Sequence, residues 1–131
     1  MESRLRAALL DWLRSDPQLQ ALNAVAEESP IKVSPPWLGI AASAAIDWGS
    51  KDRPGYEVRI ALELELRMDR AGSEADLVDA VVARVRSLPR LQEHFEIATI
   101  RLLRSRTEQR PRHLRASLLE FRFRLLSLTT E

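Results

Sequence analysis

Between Tyr56 and Met68 the chain alternates without a break. Tyr56, Val58, Ile60, Leu62, Leu64, Leu66 and Met68 are separated one by one by Glu57, Arg59, Ala61, Glu63, Glu65 and Arg67. Period two predicts a strand with one face on a core and the other wet or charge-paired. On a helix the same apolar residues would scatter around the whole surface. A different period opens the chain: Leu5, Ala8, Leu9, Trp12 and Leu13 fall on one helical face and predict a helix over 4–14. Glu2 in its first turn and Arg14 near its end suit the helix dipole. Asp16-Pro17 then predicts a restart, with Asp as N-cap and Pro at the first helical position of a short helix over 17–23.

Prolines 30, 35 and 36 make 24–36 a loop. A strand follows over 37–46, and its small residues predict close approach by another element. The connecting segment 47–55, rich in Gly, Pro and Asp, exceeds the usual hairpin length of about two to five residues and reads as a protruding loop. Ser73-Glu74-Ala75-Asp76 resembles a capping box, and Leu77, Val78, Val81, Val82, Val85 and Leu88 mark the face of the helix it starts, closed by Pro89. Two strands remain. One covers 95–106, and the other covers 113–128, with Leu119, Phe121, Phe123 and Leu125 opposed to Glu120, Arg122 and Arg124. Leu114, Ala116 and Leu118 have the opposite parity, which predicts a bulge or crossing point near 118–119. Residues 104–112 between these strands read as an arginine-rich hairpin tip. The order ααββαββ predicts an α+β fold: an antiparallel four-stranded sheet with the N-terminal helix and one long helix packed on one face. Its 131 residues suit a single domain over 1–131.

Composition narrows the chemistry. With no cysteine, disulfides, thiolate nucleophiles and cysteine-ligated metals are excluded. The two histidines, His94 and His113, stand beside no motif that would make them catalytic or metal-binding, so no catalytic, metal or cofactor site is expected. Gly39, Gly49, Gly55 and Gly72 are too scattered for a phosphate loop. No apolar run approaches the roughly 20 residues of a membrane helix, and the charged N-terminus lacks the pattern of a signal peptide. The expectation is a cytoplasmic protein without a membrane partner.

Charge is uneven along the chain. Residues 1–83 hold 9 Lys/Arg against 14 Asp/Glu, and residues 84–131 hold 11 Arg against 5 Glu. One reading is an arginine-rich genome; the other is a protomer with unlike faces that meet head to tail. Glu63 and Glu65 match the spacing of Arg122 and Arg124. These residues pair if their strands are neighbours and otherwise face an adjacent subunit. The arginines at 104–112 suit phosphates, but no aromatic lies between 96 and 120 to stack on bases, which favours a solvated hairpin or a protein contact. Trp48, in a polar loop, reads either as an interface anchor or as a lid folded over the sheet edge.

Several segments taken together resemble the small tail-completion, or tail-terminator, proteins of long-tailed phages and phage-derived gene transfer agents. They are the opening helix Leu5-Arg6-Ala7-Ala8-Leu9-Leu10, the restart Asp16-Pro17-Gln18-Leu19, Pro35-Pro36-Trp37 before the first strand, and the turn Asp47-Trp48-Gly49-Ser50-Lys51. Gly55-Tyr56-Glu57, the helix from Ser73 to Leu88 and the closing strand Phe121-Arg122-Phe123-Arg124-Leu125 complete the series. The short strand of that pattern before the prolines is weak in 24–34. The resemblance implies a structural protein, not an enzyme. It would form a ring, commonly hexameric, at the head-proximal end of the tail tube and end tube growth. Its partners would be itself, the major tail tube protein and the head–tail connector, with DNA passing through the lumen. It would be cytoplasmic during assembly and then part of the tail. Candidate interface residues are Trp48, Lys51, Arg53, Glu63, Glu65, Arg104, Arg106, Arg110, Arg112, Arg122 and Arg124. The alternatives are a head-completion or neck adaptor ring and a small nucleic-acid-binding module using the arginine hairpin.

Overall fold

The alternating segment forms the middle of the molecule. In the computed structural model, which describes residues 1–68 and 73–128, it is strand β3, Gly55–Arg67. Before it come helix α1 (Glu2–Arg14), strand β1 (Val25–Ala26) and strand β2 (Trp37–Asp47). After it come helix α2 (Ser73–Arg86) and strands β4 (Phe95–Arg110) and β5 (Leu114–Ser127). The sheet order is β1-β2-β3-β5-β4. β3 therefore has an antiparallel neighbour on each side, β2 and β5.

The alternation of β3 divides the sheet into two faces. Val58, Ile60, Leu62, Leu64 and Leu66 are buried on the first, beside Leu119, Phe121, Phe123 and Leu125 of β5. Leu5, Leu9, Leu10 and Leu13 of α1 and Val81 and Val85 of α2 join the same core cluster. Both helices thus cover one face of the sheet. Trp12 ties them together: its Nε1 donates to the Arg84 carbonyl at 2.9 Å, and the Arg84 guanidinium stacks over the ring, 3.5 Å from its centroid. Trp12 is half-buried at this seam and is not a core residue.

The architecture is α+β, but the sheet is five-stranded and mixed, not four-stranded and antiparallel. The extra strand lies in the segment read as loop: β1 runs parallel to β2, pairing Val25 with Leu38 and Ala26 with Gly39. Two residues are too few to show a period, and their partner lies beyond the prolines. The expected second helix is only a 3-10 turn, Pro17–Leu19, although Asp16 caps it, accepting from the Gln18 N–H at 3.0 Å. Ser73 starts α2, but its side chain lies outside the described residues, as does Gly72. Glu74 turns to β5, pairing with Arg115 at 2.7 Å.

The small residues of β2 divide in two. Gly39 does meet another element: a Cβ there would stand 2.9 Å from the Glu28 carbonyl oxygen, so only glycine lets the loop after β1 lie this close. Ala41, Ala42, Ala44 and Ala45 are exposed, because β1 is too short to cover this edge. The bulge expected near 118–119 is absent. β5 pairs with β3 in unbroken register, and the irregularities lie in β4, between Ile97 and Thr99 and between Leu102 and Arg104. Leu114, Ala116 and Leu118 share the parity of Glu120, Arg122 and Arg124 because they belong to the charged face. There Ala116, fully buried, stands between Glu65 and Glu108.

Candidate functional site

The face away from the helices is built almost wholly from the polar positions of β3, β4 and β5. β3 contributes Glu57, Arg59, Glu63 and Glu65; β5 contributes Glu120, Arg122 and Arg124. β4 contributes Arg101, Arg104, Arg106, Glu108 and Arg110. The last three arginines therefore do not form a hairpin tip. The ladder between β4 and β5 continues to Arg110 and Leu114, which leaves 111–113 as the turn, with Arg112 and His113 at left-handed φ of 65° and 57°. Polar side chains hid this extension, because a strand facing water on one side and an edge on the other needs few apolar residues.

Two ionic clusters organise the face. At the end near the turn, Arg110 reaches Glu108 at 2.9 Å, Glu65 at 3.3 Å, and Glu63. Burial works to lower the Arg110 pKa, but its hydrogen bonds with Glu108 and Glu63 prevail and raise it above the usual arginine value. Glu63 also accepts from Ser29 Oγ at 2.6 Å, pinning the loop that crosses Gly39. At the other end Glu57, only 9% exposed, is a hub. Arg124 Nε lies 3.1 Å from it, and Arg59 Nε and Arg122 Nε each lie 3.9 Å away. Between the clusters Arg104 meets Glu120 at 3.4 Å, and Arg106 stands 3.9 Å from Glu108.

The sequence pairing of Glu63 and Glu65 with Arg122 and Arg124 is thus corrected. Their strands are neighbours, but the register sets Arg122 opposite Arg59 and Arg124 opposite Glu57, while Glu63 and Glu65 face Leu118 and Ala116. Antiparallel register depends on where the chain turns, which spacing within each strand does not report. Glu57, Arg59 and Arg101 were missed as site residues. The alternation of β3 already placed the first two beside Glu63 and Glu65, and that was the available signal.

The 48–54 loop closes over the Glu57 end. Its base is a hydrogen bond from the Trp48 N–H to the Gly55 carbonyl at 2.9 Å. Trp48 is half-buried with the Arg124 guanidinium 5.4 Å from its ring centroid, within cation–π range. Arg53 pairs with Glu96 at 3.0 Å, and the Ser127 N–H donates to the Pro54 carbonyl at 2.9 Å. Lys51 and Arg112 are exposed without an ion pair among the described residues. Of the candidate residues, the fold therefore gathers Trp48, Arg122 and Arg124 at one end of the face and Glu63, Glu65 and Arg110 at the other.

Among the described residues no group of three or more His, Asp or Glu could hold a metal ion, and no helix is long and apolar enough to cross a membrane. His94 and His113 flank the two ends of the 16-residue β4, so they cannot act together. The arrangement can bind charged surfaces.

The sequence profile described as Tail completion protein gp17 matches residues 7–126. A chain in the solved structure described as the virion of a native gene transfer agent (GTA) particle has the same fold, with a TM-score of 0.68 at 21% identity. The likeness covers 93% of this chain and 94% of that one. No curated protein matches the sequence.

Proposed function

The chain belongs to the tail completion protein gp17 family, and from that premise we propose that it is the ring that ends a phage-like tail tube at its head-proximal end. Its role is structural: it is a tail-completion component of a phage or gene transfer agent particle. In this reading copies of the chain, each acting as one unit over residues 1–131, close into a ring, hexameric by the resemblance. One side docks on the last layer of the major tail tube protein, and the other meets the head–tail connector. DNA passes through the lumen without being read. The protein assembles in the cytoplasm and leaves in the particle.

The observation that carries the reading is the family match over residues 7–126. The geometry supports it with two unlike sides, a helix layer and a charged sheet face, which suit the head-to-tail contacts of a ring. The nucleic-acid reading is less favoured, because Arg104, Arg106 and Arg110 have glutamates as partners on the sheet face. "Tail completion" also favours this position over a head-completion adaptor.

Deleting the gene tests the reading. Electron microscopy is expected to show tubes longer than normal and unjoined to heads. Tubes of normal length on joined heads would overturn it. The loop supplies a finer check. Trp48→Ala removes one partly exposed ring contact and is expected to cost about 0.5–2 kcal/mol of stability. It should lower tail completion many-fold while the thermal unfolding midpoint shifts by only a few degrees; a collapse of the midpoint would assign Trp48 to the core instead.

A further inference from the structure

On the open face one row of the sheet sets three arginines side by side, with no carboxylate among them. Arg59 on β3, Arg122 on β5 and Arg101 on β4 stand directly opposite one another in register. Like charges directly opposite across strands oppose folding. The neighbouring rows carry one glutamate each on β5 or β3, Glu120 and Glu57, and these lean toward Arg104 and Arg124. Arg101 has no ion pair among the described residues, and the buried Nε of Arg122 has no hydrogen-bond partner. The row is short of acceptors: Arg59 and Arg122 share only Glu57, each at 3.9 Å and beyond hydrogen-bond distance, and Arg101 has none among the described residues.

Acceptors of the right kind stand on the opposite side of the same chain. α2 turns Val81 and Val85 into the core and leaves Ala75, Asp76, Asp79 and Ala83 exposed. Asp76 and Asp79, three residues apart and so on one side of the helix, have no ion pair among the described residues. Ala75 and Ala83 flank them with small side chains, so long arginines can reach the carboxylates. The helix becomes basic only at its far end, where Arg84 folds onto Trp12 and Arg86 is exposed.

We infer that the Arg59–Arg122–Arg101 row of one copy receives the Asp76–Asp79 stripe of the next. The inference rests on the ring reading and names the surfaces that close the ring. Guanidinium groups bind carboxylates in a bidentate fashion. The donor row and the acceptor stripe lie on opposite sides of the domain, so the contact is heterologous and repeats from copy to copy. A phosphate strand fits less well, because Glu57 and Glu120 border the row on both sides and the net charge is only +1.

Complementation of a deletion strain tests this without requiring the free protein to assemble. Arg59→Glu/Arg101→Glu sets a glutamate on either side of Arg122, and Asp76→Lys/Asp79→Lys reverses the stripe. Circular dichroism melts of both purified variants check that each is folded. Each variant alone is expected to leave tubes overlong. Expressed together they should restore normal length, since the acidic sheet face of the first fits the basic helix of the second, and the other two faces remain native. If deletion lengthens tubes but either folded variant rescues alone, or co-expression fails to rescue, the surfaces are wrong and the ring reading stands. Failure of the arginine variant alone, with the aspartate variant fully active, would assign the row to another anion such as the DNA backbone. If deletion itself leaves tubes normal, the ring reading falls and this inference with it.

Discussion

Phe121→Ala is expected to destabilise the protein by about 3–5 kcal/mol, the range for truncating a fully buried phenylalanine. Phe121 has no exposed surface and stands between Ile60 of β3 and Leu102 of β4 in register. Its ring lies 6.3 Å from that of Phe123, tilted by 41°, so truncation also removes an aromatic contact. β5 is paired along both edges, which leaves little freedom for the backbone to collapse into the cavity. At about 3–5 °C per kcal/mol for a domain of this size, the midpoint should fall by roughly 10–20 °C. Arg101→Ala is the control: on an exposed side chain without an ion pair among the described residues it is expected to stay within about 0.5 kcal/mol of wild type. Equal losses from the two, measured by urea unfolding, would mean that the helix-covered face is not the core.

Glu57→Ala is expected to cost about 2 kcal/mol, with a dependence on salt that no core substitution shares. Glu57 is the acceptor around which Arg59, Arg122 and Arg124 converge, and its side chain is 10% exposed. Removing one member of a fully buried pair costs about 3–5 kcal/mol. The value here is smaller because Arg59 and Arg124 remain in contact with water at 55% and 32% exposure. Without the carboxylate, Arg59, Arg122, Arg124 and Arg101 repel one another across adjoining strands. Salt screens that repulsion. The stability difference from wild type should therefore shrink as ionic strength rises, in urea titrations at low and high sodium chloride. A difference independent of salt would mean that Glu57 acts by packing and not by charge.

These effects separate the two faces of the sheet, and the faces differ in how far they could be read. The core face follows from alternation: Val58 through Leu66 and Leu119 through Leu125 declare their side residue by residue. The charged face is legible in membership but not in partners. Arg110 illustrates the difference. By position it ends a run of arginines before a proline, which suggests a loop. In the fold it is a strand residue that holds Glu63, Glu65 and Glu108, and Glu63 in turn holds Ser29. No spacing within 104–112 carries that information, because the acceptors Glu63 and Glu65 come from two strands away.

By itself the amino-acid sequence determined the α+β class, the places of both helices and, to within a few residues, of the four long strands, the core face of β3 and of the second half of β5, and the family resemblance. These properties are local or periodic: they depend on which side chains recur at two or 3.6 residues, and on caps and prolines that act over a few positions. Tertiary structure decided the rest. It paired the two residues of β1 with β2, carried β4 through its arginines to Arg110, set Arg59, Arg122 and Arg101 in one row, and made Glu57 the common neighbour of Arg59, Arg122 and Arg124. Each of these is a register between segments distant in the chain. Register is fixed where turns close and where buried faces must coincide, so it exists only once the whole sheet has formed.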